Sequence, residues 1–176
     1  MSLFICDVEA DGPVAPLYSM ISIGLVKINR DGTFETFYGE LKPLPEAGWI
    51  PEALAVSGHS RETVMTFPDA ESVIKKMDAW ITEVNTDGRP VLWSDNNQFD
   101  GGFVNYYTHR FLGRNPFGHS SRDIGALYKG LAKDVRKNFK HLRKTKHTHH
   151  PVDDAKGNAE AMLAMRNKLG LWLSIA

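Results

Sequence analysis

Cysteine is almost missing: Cys6 is the only one in 176 residues. No disulfide can form within the chain, and a zinc site built on paired cysteines is excluded. Such poverty in cysteine fits a reducing compartment, and the cytoplasm is the expected location. Nowhere do apolar residues run long enough for a membrane-spanning helix. The opening MSLFICDVEADG has no basic residue and its apolar run is cut by Asp7 and Glu9, so a secretory leader is not expected. Low-complexity tracts and internal repeats are also lacking. With 42% hydrophobic residues and four Trp, the composition is that of a folded globule. The length suits one domain, taken as residues 1–176, burying roughly 70% of its unfolded surface.

The chain also lacks net charge, but that zero hides two opposed halves. Residues 1–100 carry 7 Lys/Arg against 16 Asp/Glu, and residues 101–176 carry 14 against 5. Most of the positive excess lies between Lys129 and Lys146, where Lys129, Lys133, Arg136, Lys137, Lys140, Arg143, Lys144 and Lys146 face a single acid, Asp134. A stripe of this kind attracts polyanions, nucleic acid above all, and is equally the mark of a solvated surface.

What is present suggests a mixed fold. Leu3 to Val8, Met20 to Ile28 and Thr33 to Leu41 read as three consecutive strands, with Arg30-Asp31-Gly32 turning the second into the third. Pro51 to Val56 opens as a short helix on its proline. A longer helix follows Pro68-Asp69 to about Val84, with Val73, Met77, Trp80 and Ile81 at helical spacing. Pro90 to Ser94 is a brief buried strand. Phe99 to Leu112 is a helix with Phe103, Tyr107 and Phe111 on one face. Asp153 to Leu169 closes the chain as a helix with Ala155, Ala159, Met162 and Met165 inward. Strands first, then helices alternating with strand, predict an α/β domain around a mixed sheet.

Carboxylates collect at the ends of these elements. Asp7 and Glu9 stand two apart on the first strand, so both side chains leave the same face, against neighbours that are otherwise apolar. Asp100 lies in the first turn of a helix, and Asp153 and Asp154 at the start of the last one. Each has an ordinary reading: a strand end entering solvent, a partner for the helix dipole, a capping acid. Together they make an oxygen-rich set without cysteine, which suits Mg²⁺ or Mn²⁺ better than zinc. A pair of such ions about 3.5–4 Å apart serves in-line phosphoryl displacement, and a neighbouring histidine can act as base toward the attacking water. His147, His149 and His150 all stand just before Asp153 and Asp154. A zinc cluster of those histidines with an aspartate is the competing interpretation.

The motifs resemble the DEDDh branch of the DnaQ-like 3′-5′ exonucleases, whose fold is ribonuclease H-like. Asp7-Val8-Glu9-Ala10-Asp11-Gly12 matches the first family motif, Asn96-Asn97-Gln98-Phe99-Asp100 the second, and His149 with Asp154 both ends of the third. PEALAVSGHS at Pro51 to Ser60 is similar to the helix and turn after the family's third strand. Asp123 resembles the aspartate that follows the second motif. Among subgroups, the chain looks most like small stand-alone exoribonucleases related to a phage-encoded exonuclease. Two departures stand out: Pro151 replaces the third motif's alanine, and His150 fills the place where a sister branch has a tyrosine.

The resemblance implies a ribonuclease H-like fold in which three antiparallel strands lead and parallel strands follow, flanked by helices. It implies two Mg²⁺ (or Mn²⁺) ions held by Asp7, Glu9, Asp100 and Asp154, with Asp7 bridging, and His149 as general base with His150 the alternative. The implied reaction releases nucleoside 5′-monophosphates one at a time from 3′ ends of RNA or single-stranded DNA; a catalytically silent member that only binds nucleic acid or a partner protein is the rival. Gly12 is expected to let backbone approach the terminal nucleotide, with Asn96 and Phe99 beside it, Phe99 as a stacking surface or as core. Lys137 and Arg143 are expected to meet upstream phosphates. Asp153 is expected to cap the last helix, and His59, His109, His119, His141 and His147 to be structural or solvated. Whether two copies pair as a homodimer the sequence leaves open.

Overall fold

The computed structural model describes residues 1–85, 88–171 and 175. Among these, five strands form one sheet: β1 Ser2–Ala10, β2 Met20–Ile28, β3 Phe34–Glu40, β4 Pro90–Ser94 and β5 Arg122–Asp123, in the order β3-β2-β1-β4-β5. β1 pairs antiparallel with β2, and β2 with β3; β1 with β4 and β4 with β5 are parallel. This is the mixed arrangement expected from the sequence. The turn between β2 and β3 is closed by Gly32 at φ 87° and by the Asn29 N–H donating 2.9 Å to the Thr33 carbonyl.

Helices cover both faces. α1 Pro51–Val56, α2 Arg61–Val64, α3 Ala70–Val84 and α4 Asn97–Leu112 precede β5. α5 Ile124–Ala132, a 3-10 turn at Lys140–Leu142 and α6 Pro151–Leu169 follow it. α3 starts where the Asp69 side chain accepts from the Ser72 N–H, and α4 stops at Gly113 in the left-handed conformation. α2, β5, α5 and the 3-10 turn are additions to the sequence-based layout. α4 and α6 each start two residues earlier than the periodicity indicated.

The period-two alternation of β1 sorts the core into two layers. Phe4, Cys6, Val8 and Ala10 pack with Val73, Ile74 and Met77 of α3 and Phe103, Val104 and Tyr107 of α4. Leu3 and Ile5 face the other way, onto Ala155, Ala159 and Met162 of α6 and Ile124 and Tyr128 of α5. Each large apolar side chain so buried contributes roughly 1.5–3 kcal/mol. The position of α6 depends on Gly24: a Cβ there would lie 2.3 Å from the Pro151 carbonyl carbon and 2.4 Å from the Val152 nitrogen. Only a glycine lets the first turn of α6 touch the sheet, and any side chain would push it outward.

Candidate active site

Gly24 stands opposite Asp7 in the β1–β2 register, so their side-chain positions share a face. Continuing the Leu3, Ile5 series, Asp7 and Glu9 point to the α6 side, and the contact at Gly24 sets the first turn of α6 over them. One oxygen each from Asp7, Glu9 and Asp154 all fall within 4.8 Å of one another. Asp154 is buried at 1% exposure. Its oxygens hold the chain that enters the helix: Oδ1 accepts from the Thr148 N–H at 3.2 Å and Oδ2 from the His149 N–H at 3.0 Å. His149 takes φ 59° to make that wrap.

Asp100 arrives from the opposite layer. β1 and β4 stay paired only through Ile5 and Trp93. Beyond that point the Val8 N–H has no β4 partner in the ladder and donates instead to Asp100 Oδ1 at 3.1 Å. Asp100 is 4% exposed and close enough to repel Asp7 and Glu9, but the tight set of carboxylate oxygens comprises Asp7, Glu9 and Asp154.

The electrostatics are those of a site short of positive charge. Burial, then repulsion from Asp100, Asp154 and Glu9, raises the Asp7 carboxyl well above the usual range, opposed by Arg143. Burial, then Asp154 and Asp100, brings Glu9 to about 7. Asp100 also rises to about 7 through burial, against bonds from the Val8 and Asn96 N–H groups. Carboxylates that resist ionisation in one another's presence lower their energy by sharing a cation. The donor set is all oxygen, so it fits a hard divalent ion such as Mg²⁺ or Mn²⁺.

The three histidines separate. His149 Nδ1 is 3.9 Å from Glu9 Oε1, its ring half exposed beside the acids. His150 turns away and stacks on Tyr38 of β3 at 4.7 Å. His147, expected to be structural or solvated, sets Nδ1 2.7 Å from Asp154 Oδ1, with its ring edge-on to His149 at 4.2 Å. The three do not converge as a zinc cluster would require. Asp153 does not cap α6: His150 holds the N-cap place, Pro151 the first helical position, and Asp153 accepts from the Thr148 hydroxyl at 3.2 Å. Proline in place of the motif's alanine thus opens the helix while its backbone rests on Gly24.

The remaining expected residues have mixed fates. Phe99 is half-buried, edge-on to Phe103 at 5.0 Å. With Glu9, Ala10, Gly12, Pro13, Ala53 and Val56 it lines a hollow of about 280 Å³ beside the acids. Gly12 is fixed by packing, since a Cβ there would lie 2.1 Å from the Tyr18 ring. Asn96 is exposed at the N-cap of α4 and makes no side-chain cap bond. Lys137 is exposed. Arg143 departs most from expectation. Its side chain is 8% exposed, bonds Asp95 at 3.2 Å and the Asn158 side chain, and lies 5.5 Å from the Phe139 ring centre. That guanidinium ties the end of β4 to α6 from within rather than facing solvent. Asp123 joins two helices: Oδ1 accepts from Ala126 of α5 and Oδ2 from the Asn97 N–H of α4 at 3.3 Å. Sequence reasoning missed Asp11, which is fully buried. It accepts from the Ser19 N–H at 2.6 Å and from Arg61 at 3.1 Å, closing the loop after β1.

Comparison with known proteins bears on the family and the fold. A sequence profile described as 3′-5′ exoribonuclease Rv2179c-like domain matches residues 2–165. The 3′-5′ DNA exonuclease Cap18 of Escherichia coli is 36% identical over 129 residues, 72% of this chain and 67% of that protein. The nuclease domain of 3′hExo, a DEDDh family member solved with rAMP, superposes with TM-score 0.78 at 19% identity, covering 98% of this chain and 96% of that one. The zinc-bound E. coli exonuclease I complex with single-stranded DNA gives TM-score 0.74 at 15% identity over 95% of this chain. This chain spans 41% of exonuclease I. At such identities the structural likeness establishes the ribonuclease H-like fold.

Proposed function

We propose that this chain, which belongs to the 3′-5′ exoribonuclease Rv2179c-like domain family, hydrolyses the last phosphodiester at a nucleic-acid 3′ end with divalent metal ions and a histidine base. The observation that carries the reading is the meeting of Asp7, Glu9 and Asp154 oxygens within 4.8 Å. Asp7, Glu9 and Asp154 would hold Mg²⁺ or Mn²⁺, with Asp100 completing the set for a second ion from the α4 side. When bound, the metal lowers the pKa of the attacking water and stabilises the charge that develops on the phosphate.

The chain's own residues supply the rest. His149, beside Glu9 and open to solvent, takes the proton from the attacking water; the stacking of His150 on Tyr38 favours this choice over its neighbour. The hollow between Gly12 and Phe99 receives the terminal nucleoside, its apolar walls excluding water from the base. One water is consumed, the bond to the upstream 3′ oxygen breaks, and a nucleoside 5′-monophosphate leaves.

The two descriptions differ in sugar: the family is described as exoribonuclease and Cap18 as a DNA exonuclease. Both RNA and single-stranded DNA 3′ ends are therefore proposed substrates. Digestion of matched 5′-labelled RNA and DNA strands in Mn²⁺ tests this, with stepwise shortening expected from wild type and none from Asp7→Ala. If neither strand is shortened, the proposal fails.

A further inference from the structure

The segment that leads into α6 is fastened at both ends by groups other than its histidine rings. The Glu160 carboxylate accepts from the Lys144 and Thr145 N–H groups at 2.8 and 2.7 Å. Nearer the helix, Thr148 and His149 give their N–H groups to Asp154, and the Thr148 hydroxyl donates to Asp153. The ring of His147 is therefore not needed to hold the chain in place, and half of its surface stays in solvent. It nonetheless turns inward, with Nδ1 2.7 Å from Oδ1 of an aspartate that is 1% exposed. Among the described residues no other side chain bonds that carboxylate.

The lone pairs of Asp154 give the contact its meaning. An ionised carboxylate has about four acceptor sites, shared between its two oxygens. On Oδ1 both are taken, by the Thr148 N–H and by His147 Nδ1; on Oδ2 the His149 N–H takes one. The site left over, on Oδ2, is free for a cation shared with Asp7 and Glu9, whose oxygens lie within 4.8 Å. Hydrogen bonds to a carboxylate are the usual means of aiming it at a metal. The two histidines thus divide the work. His149 holds Asp154 with its backbone and keeps its ring free beside Glu9, whereas His147 holds Asp154 with its ring.

We propose that His147 is a positioning residue of the metal site: its ring closes Oδ1 of Asp154, so that this acid meets a single ion through Oδ2 alone. The assignment deepens the metal-dependent exonuclease reading and rests on it. Its consequence is that His147 sets the affinity for the ion, while the proton transfer belongs to His149.

The test is a Mn²⁺ titration without substrate, followed by the loss of the free ion's electron paramagnetic resonance signal. His147→Ala is expected to raise the Mn²⁺ Kd by about 10- to 100-fold, the usual cost of losing a bond that orients a ligand. Its melting temperature in chelator should scarcely move, since the backbone bonds to Glu160 and Asp154 remain. His147→Asn, whose amide N–H stands where Nδ1 does, recovers most of the affinity; His147→Gln, whose amide stands a methylene farther out, does not. In turnover, excess Mn²⁺ restores His147→Ala and leaves His149→Ala slow. An unchanged Kd in His147→Ala overturns the assignment, and a tighter one overturns it by showing that the ring occupies the cation's own place. A loss that Asn and Gln share equally overturns it too, since it marks packing rather than a hydrogen bond; that pair also decides the matter if His147→Ala does not fold. If wild type takes up no Mn²⁺, the metal reading falls and the assignment with it. A chain that binds Mn²⁺ but cuts no strand loses the exonuclease reading alone, and the Kd series still decides the role of His147.

Discussion

Where β1 ends and α6 begins, Asp7, Glu9 and Asp154 crowd within 4.8 Å, whereas the cations of residues 129–146 disperse. Arg136 pairs with Asp134, and Lys140 and Arg143 both turn onto Asp95, at 3.6 and 3.2 Å. The acids are scattered along the sequence and converge; the bases are contiguous and separate. The sheet accounts for both outcomes. Parallel and antiparallel neighbours of β1 bring strand ends and helix starts to one corner, and Gly24 admits α6 to it. The basic stretch instead runs past the end of α5 at Ala132 and through the 3-10 turn at Lys140–Leu142, and Arg136, Lys140 and Arg143 within it meet the acids Asp134 and Asp95. Acids that stay crowded with no salt-bridged Lys or Arg suit a shared divalent cation, and cations matched by the protein's own acids serve the architecture.

Removing one acid from the corner gives the largest expected effect. Asp7→Asn should lower exonuclease turnover by about 10³-fold or more, the several kcal/mol that metal-assisted charge stabilisation contributes. The same change should raise the melting temperature in chelator, because it relieves repulsion. Activity close to wild type would remove Asp7 from the chemistry; a lower melting temperature would mean that the acids are paired after all.

Next comes the proton acceptor. His149→Ala should cost about 10²–10⁴-fold in turnover, the usual worth of a positioned base, while His150→Ala should lose its Tyr38 contact and little activity. The reverse pattern would move the base by one residue. His147→Ala is informative beside them, since the Asp154 contact at 2.7 Å holds that carboxylate whether or not His147 meets substrate.

Thermal stability should respond to pH with a particular sign. Burial places the folded-state carboxyl of Glu9 at about 7 against an ordinary 4.5, and that of Asp100 at about 7 against 3.8. Between about pH 4.5 and about 7 the folded metal-free protein therefore binds more protons than the unfolded chain. Stability falls as pH rises through that window and levels off above it. Melts in chelator at about pH 5 and about pH 8 should show the loss. Saturating Mg²⁺ or Mn²⁺ at the higher pH should reverse it, by about 2.7 kcal/mol at a hundredfold excess over Kd. A flat profile would mean that these acids ionise freely in the fold.

Much of this corner is legible in the sequence. Alternation alone puts Asp7 and Glu9 on one face, and an apolar strand carrying two acids is a local conflict that folding does not explain. Which distant groups meet them is not written locally. The placement of Asp154 depends on a backbone contact at Gly24 in another strand, and the split fates of His149 and His150 follow from a left-handed residue and from Tyr38 two strands away. α5 has a local signal that the layout omitted: Ile124, Leu127, Tyr128 and Leu131 keep helical spacing behind an Asp123 cap. The lysines after it mask that pattern with charge. Arg143 has no such signal, since nothing local announces that Asp95 and Asn158 will enclose it.

The two cations expected to meet phosphate therefore part company in the smallest effects. Arg143→Met should destabilise the fold by about 2–3 kcal/mol, because it leaves Asn158 without its charged donor and Asp95 with Lys140 alone at 3.6 Å, and should scarcely alter the salt dependence of strand binding. Lys137→Ala should leave the melting temperature unchanged. If Lys137 does meet a phosphate, losing that contact reduces the slope of log affinity against log salt by about 0.7. Titrations of a single strand in Ca²⁺ at several salt concentrations read both slopes. A slope change in Arg143→Met with its melting temperature intact would return that residue to the nucleic-acid surface, and an unchanged slope in Lys137→Ala would leave the basic stretch as a solvated face.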